Sequence, residues 1–304
     1  MKKNFIIMTE GATASHWISA NLSRINNVFC SHGYTNPPTI YPEGYSLELE
    51  AKKRKNDQGK VKNIEEYYKI INKLRNEEYC GTIHLYNYSD ISEFSKNKSN
   101  INEIKKYFKL ISIVRHPVLR IQSFYDHFLK ICKIDNLMTN DINVWVENEV
   151  SLTGIIQYMR KNFPGLDLDD FKVKAFLCAV GITNSASGNL YQSTKNKIKF
   201  YKYEELTSNK EIQKKFVSYL FDNQIKFDEN IFSSNKTNSH RMKNLSQSEC
   251  YHAWETWKKD AFCYSLQGYE EFYKNICKYD LSFINFNSKK KINFFYKILA
   301  KLKS

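Results

Sequence analysis

Short apolar runs alternate along the chain with longer stretches in which apolar positions recur every three or four residues. The runs at residues 4–8, 27–31, 81–86, 109–114 and 197–203 have the length and composition of buried strands. Between them the pattern predicts helices over 15–25, 64–77, 118–131, 143–161 and 209–223. In the third of these, Ile121, Phe124, Tyr125, Phe128 and Leu129 share one helical face. Strands alternating with helices predict an α/β fold, with a mainly parallel central sheet flanked by helices. Residues 235–280 are aromatic and basic, and their second half reads as helical. No internal repeat and no Pro/Gly-rich linker divides the chain. It reads as one domain over residues 1–287, closed by a tail at 288–304.

Composition sharpens this picture in three ways. With 304 residues, 42% of them hydrophobic and 15% aromatic, the chain can bury a sizeable core. Its apolar runs, FIIM, LISIV and FLCAV, fall far short of the roughly 20 residues of a membrane span. The opening MKKNFIIMTEG has too short an apolar stretch for a signal peptide. The seven cysteines are scattered without zinc spacing, which fits reduced thiols in a cytoplasmic protein and predicts no metal site.

The net charge of +14 is largely local. Residues 51–63 hold six basic side chains against one acid, and residues 288–304 hold six lysines and no acid. These segments read either as solvated surface or as contacts with an anionic partner. No nucleic-acid motif accompanies them, so no nucleic-acid partner is expected. In the tail, Ile292, Phe295, Ile298, Leu299 and Leu302 fall along one helical stripe flanked by Lys290, Lys297 and Lys301. Such a stripe can cap the core, or it can lie in the headgroup layer of an anionic membrane as a peripheral contact.

Two segments carry candidate chemistry. TEGATASHW follows the first strand and opens the first helix. A tight turn there leaves backbone N–H groups facing one spot at the positive end of the helix dipole, which suits phosphate or sulfate. Gly11, Ala12, Ala14 and Ser15 are small enough for close backbone approach, and Thr13 and Ser15 add hydroxyls. The turn is not GxxxxGK[ST], so magnesium-coupled nucleoside triphosphate hydrolysis is not expected. An ordinary strand-to-helix turn has the same outline. The second segment is LISIVRHPVLRIQSFYDH. Arg115 leaves the carboxyl end of a buried strand, Pro117 fits the first turn of the next helix, and Ser123 lies two turns into it. A guanidinium there can grip a phosphate through two parallel bonds.

These segments resemble those of sulfotransferases that use 3′-phosphoadenosine 5′-phosphosulfate (PAPS). TEGATASHW resembles their phosphosulfate loop, which would give Gly11, Ala12, Thr13, Ala14, Ser15, His16 and Trp17 to the cofactor. IVRHPVLRIQSFY is similar to their 3′-phosphate element, with Arg115 and Ser123 at the family's Arg and Ser positions. KFYKYEELTSN resembles the strand and turn that close the nucleotide site, which would place Tyr203 there. The resemblance covers residues 5–221 and implies the P-loop-like sulfotransferase architecture, PAPS as sulfuryl donor released as 3′,5′-ADP (PAP), and no metal.

What it implies for catalysis is less complete. Transfer needs a base for the acceptor proton, and GTIHLY presents His84 much as cytosolic relatives present a histidine; a neutral imidazole suits the task. His32 in CSHGYTNPP is the rival, and Glu10 the third candidate. Relatives carry Lys or Arg where Ala12 stands. His16, or Lys236, Arg241 and Lys243 in NKTNSHRMKN, could supply that charge. The implied activity is sulfuryl transfer to a hydroxyl or amine of an acceptor such as a carbohydrate or lipid-linked glycan. The alternative is a catalytically degenerate PAPS/PAP-binding protein of the same fold. A related nucleotide kinase would need the lysine-bearing loop that this sequence lacks.

Overall fold

The computed structural model of the chain describes residues 3–9, 13–33, 64–83, 105, 107–134, 136–148, 150–232 and 245–286. The apolar runs form β1 (Lys3–Met8), β2 (Val28–His32), β3 (Tyr79–Ile83), β4 (Phe108–Val114) and β5 (Lys199–Lys202). They pair in parallel in the order β2-β3-β1-β4-β5. The fold is therefore α/β with a parallel central sheet, as the alternation of patterns predicts.

Both faces of β1 are buried, which is why it reads as a continuous apolar run rather than an alternating one. Phe5 and Ile7 pack on one face with Trp17 and Ile18 of α1 (Ser15–Leu22) and with Phe216 and Leu220 of α8 (Lys210–Leu220). Ile6 and Met8 pack on the other face with Tyr67, Tyr68 and Ile71 of α2 (Ile64–Leu74). Tyr68 donates its hydroxyl proton to the Phe5 carbonyl, and the Tyr67 hydroxyl bonds that of Ser31. Gly81 answers a steric demand here: a Cβ at that position would collide with the Phe5 ring on the neighbouring strand.

Beside the sheet lies a helical layer. It is built from α3 (Pro117–Ile131), α4 (Asn136–Asn148), α5 (Val150–Asn162) and α6 (Phe171–Lys195), with α9 (Gln247–His252) and α10 (Thr256–Leu266) closing it. At 25 residues, α6 runs roughly 37 Å and is the spine of this layer. Asp170 caps it, its carboxylate accepting from the N–H groups of Lys172 (2.6 Å) and Val173 (3.2 Å).

The pattern did not predict α6. Its centre, GITNSASGN, is rich in residues that favour turns, yet Gly181, Thr183, Ala186 and Ser187 within it are buried. Packing explains the sequence: Gly181 lies so close to Leu152 of α5 that a Cβ would stand 2.5 Å from Cδ2. The helix expected over 143–161 is found as α4 and α5, on either side of residue 149, which lies outside the described residues. Tyr203, expected at a strand end, opens the short helix α7 (Tyr203–Leu206). The strand expected over 81–86 is described only to Ile83.

The strand order places the functional turns. The chain leaves β1 toward β2 on one side and leaves β4 toward β5 on the other, while β1 and β4 are neighbours with Met8 beside Ser112. The crevice of an open α/β sheet lies between the carboxyl ends of two such strands.

Candidate functional site

On the β1 side of the crevice, the hydroxyls of Thr9 and Thr13 bond each other across the turn, both fully buried. Ala14 adopts the left-handed conformation (φ 54°, ψ 32°) as the N-cap of α1, with no side-chain cap bond. That conformation turns the chain sharply into the helix at a cost of about 1 kcal/mol for a residue with a Cβ. The carbonyl of Ala14 accepts the N–H of Ile18 at 2.9 Å. The N–H groups of the first turn have no intrahelical acceptors, and the helix dipole is positive at that end.

Two serines hold α1 against the outer edge of β2. The hydroxyls of Ser19 and Ser23 reach the Cys30 carbonyl at 2.6 and 3.1 Å, and Ser23 Oγ accepts the Cys30 N–H at 3.0 Å. These bonds satisfy polar groups of a sheet edge. They also bring the end of β2 to the start of α1. There Ser15 Oγ lies 2.9 Å from His32 Nε2, both residues buried. The His16 ring stacks on that of His32, with centroids 3.7 Å apart and planes 13° from parallel.

Across the crevice, β4 ends at Val114, and Pro117 occupies the first turn of α3. The guanidinium of Arg115 lies over the Tyr203 ring, 4.5 Å from Cζ to centroid. Glu204 holds the turn in place. Its Oε1 accepts the backbone N–H of His116 at 3.0 Å, and its Oε2 accepts the Tyr279 hydroxyl at 2.7 Å. The same hydroxyl is 3.2 Å from the Val114 carbonyl. The His116 ring sits edge-on to Tyr279 with Nε2 3.3 Å from the Asp280 carbonyl.

Burial lowers the His116 pKa to about 4, so its ring is neutral at pH 7. Burial, reinforced by the Glu204 carboxylate, pushes the Tyr279 phenol well up, so it stays a proton donor. Within residues 115–117 the positive charge is that of Arg115, with fully buried Arg120 one turn into α3 and Lys202 Nζ 5.3 Å from the Tyr279 ring. Ser123 is half-buried two turns along α3. Its neighbour Gln122 accepts from Trp254 Nε1 at 2.6 Å and donates to Asp126 at 2.8 Å, which ties α3 to the C-terminal helices.

Of the residues singled out in the sequence, Thr13, Ala14, Ser15, His16 and His32 gather at the β1–α1 turn. Arg115 and Tyr203 meet across 87 intervening positions of chain, with Ser123 farther along α3. Trp17 turns into the core, its ring centroid 5.1 Å from that of Phe232. Glu10, Gly11, Ala12, His84, Lys236, Arg241 and Lys243 lie outside the described residues, as does the tail at 288–304. Sequence reasoning missed Glu204 and Tyr279. Glu204 follows Tyr203 directly and could have been found; Tyr279 has no local signal.

The described donor set, hydroxyls and imidazoles on one side and a guanidinium on the other, suits an anion with separated charges. Among the described residues, no group of three or more His, Cys, Asp or Glu could hold a metal ion. No described helix is long and apolar enough to cross a membrane.

No protein-family model and no curated protein matches the sequence. Among solved structures, the chain is similar to a sulfotransferase from Alicyclobacillus acidocaldarius at 12% identity and a TM-score of 0.44, over 93% of this chain and 98% of that one. It is also similar to the mouse sulfotransferase SULT7A1 complexed with PAP, at 11% identity and a TM-score of 0.44, over 93% of this chain and 87% of that one.

Proposed function

We propose that the chain is a sulfotransferase that takes the sulfuryl group of PAPS to a hydroxyl or amine of an acceptor, such as a carbohydrate or glycolipid. The observation that carries this reading is convergence. Two of the three motifs touch, the Arg115 guanidinium lying over the Tyr203 ring, and the third follows β1, the strand that pairs with β4. PAPS supplies the activated sulfuryl group. Arg115 and Ser123 hold its 3′-phosphate, and the first turn of α1 with Thr13 and Ser15 receives the phosphosulfate. Positioning and charge stabilisation dominate such displacements. His84 is the base for the acceptor proton, with His32 as the main rival and Glu10 as the third candidate. The protein works in the cytoplasm, and its basic tail either caps the core or lies against an anionic membrane surface.

Ala12 favours a second reading, a PAPS/PAP-binding protein without catalysis. Thermal shift with 3′,5′-ADP and with ATP tests the nucleotide site. Stabilisation by 3′,5′-ADP alone supports it; stabilisation by ATP alone points to a kinase-like site instead. Turnover of labelled PAPS against an acceptor panel then separates enzyme from binder.

A further inference from the structure

We infer that Glu204 is the positioning residue for Arg115: it sets the guanidinium fork for a 3′-phosphate and so gives the site its preference for nucleotides that carry one. The inference rests on reading Arg115 as the 3′-phosphate grip. Tyr203 and Glu204, consecutive residues of the short helix α7, hold the Arg115 turn at two points. The Tyr203 ring lies against the guanidinium, 4.5 Å from Cζ to centroid. Oε1 of Glu204 accepts the N–H of His116 at 3.0 Å, which fixes the peptide that follows Arg115. The backbone root of the side chain and the face of its fork are thus set by one turn of chain.

A carboxylate near a bound phosphate repels it, so Glu204 does not serve the site as a ligand. Its contribution comes through the turn it holds. Glu204 is itself held from several directions. Its Oε2 accepts the Tyr279 hydroxyl at 2.7 Å, and its carbonyl accepts the Ser208 hydroxyl at 2.7 Å and that of Thr207 at 3.3 Å. The neighbouring acid, Glu205, is paired elsewhere, with Lys202 at 3.1 Å.

The chain departs from regular geometry to deliver Tyr279 to this carboxylate. Residues Phe272–Ile276 form a π-helical turn, closed where the Cys277 N–H reaches the Phe272 carbonyl at 3.0 Å. Lys278 then takes the left-handed conformation, with φ 57°. Both features are costly for residues with side chains and persist where surrounding packing imposes them. The packing is visible here. The Tyr273 hydroxyl bonds that of Ser187 in α6 at 2.7 Å, and the Tyr273 carbonyl accepts the Tyr279 N–H at 3.0 Å. Glu204 therefore ties the Arg115 turn to the helical layer.

Calorimetry of the full chain with 3′,5′-ADP and with 5′-AMP, which lacks only the 3′-phosphate, gives the ratio of the two affinities. Glu204→Ala should lower that ratio by about tenfold, by weakening 3′,5′-ADP alone. Glu204→Gln keeps an oxygen for the His116 N–H and an amide for the Tyr279 phenol, so it should retain most of the ratio. In an Arg115→Ala background, Glu204→Ala should lower the ratio no further. A role confined to stability would weaken both nucleotides alike and would persist without Arg115. Relaxation NMR of the Arg115 Nε–H group reads the same coupling in the ligand-free protein. The group should be ordered in wild type and more mobile in Glu204→Ala and in Tyr279→Phe. An unchanged ratio in Glu204→Ala overturns the inference, as does a loss that persists in Arg115→Ala. Should Glu204→Ala not fold, Tyr279→Phe carries the test, and unchanged Arg115 order in that variant overturns the inference. If wild type binds neither nucleotide but Arg115 order falls in the variants, the positioning of Arg115 stands and the nucleotide reading falls. If wild type prefers 3′,5′-ADP and Glu204→Ala keeps that preference, the nucleotide reading stands and the positioning role falls.

Discussion

The Arg115 guanidinium lies over the ring of Tyr203, Cζ 4.5 Å from the centroid, so the residue after β4 and the residue after β5 form one unit at the crevice. The ring holds the planar fork in one orientation, which lowers the entropy cost of a two-point grip on phosphate. Arg115→Ala should therefore weaken 3′,5′-ADP binding by about 2–3 kcal/mol, and Ser123→Ala by about 1 kcal/mol. Tyr203→Phe keeps the stack and should bind as wild type, whereas Tyr203→Ala should lose about 1 kcal/mol. Calorimetric titration measures all four. Unchanged affinity in Arg115→Ala removes that residue from the site.

Tyr279→Phe deletes a hydroxyl that reaches both Glu204 and the Val114 carbonyl. The Glu204 carboxylate would keep the His116 N–H but lose its second donor. The expected cost is about 1–2 kcal/mol in urea unfolding. Affinity for 3′,5′-ADP should fall as well, because the Arg115 turn is loosened. An unchanged unfolding midpoint would show that the phenol does not brace this turn.

His116 makes stability depend on acid. Its folded pKa is lowered from 6.5 to about 4 by burial, so the unfolded chain binds more protons between those values. The stabilisation is complete above about pH 6.5 and is lost as pH falls toward 4, by about 3 kcal/mol in all. The melting temperature should drop across that window. In His116→Asn the drop should be shallower. An equally steep acid limb in that variant would assign the effect to other groups.

Gly81→Ala should destabilise the sheet by about 1–3 kcal/mol, because the new methyl overlaps the Phe5 ring on the adjacent strand. Pairing it with Phe5→Leu removes the ring and should recover part of the loss. Equilibrium denaturation of the two single variants and the double variant reads this coupling directly. Strict additivity would mean that the ring and the methyl never meet.

Local pattern was enough to find the strands, because a parallel strand buried on both faces writes itself as an uninterrupted apolar run, as FIIM and LISIV do. It also drew attention to Arg115 at a strand end and Ser123 two turns into the next helix, whereas Tyr203 entered only through the family resemblance of its segment. It failed for α6, whose glycines and serines disfavour an isolated helix and make sense only against Leu152 and Tyr269. It could not foresee that Tyr279 braces the β4 turn, or that His32 and His16 stack behind Ser15, because those contacts join residues with no sequence relationship. Strand periodicity and turn chemistry are properties of neighbouring residues, so the sequence by itself determined the fold class and the two ends of the crevice. Which side chains brace and stack there depends on long-range packing, and only the tertiary structure decided it.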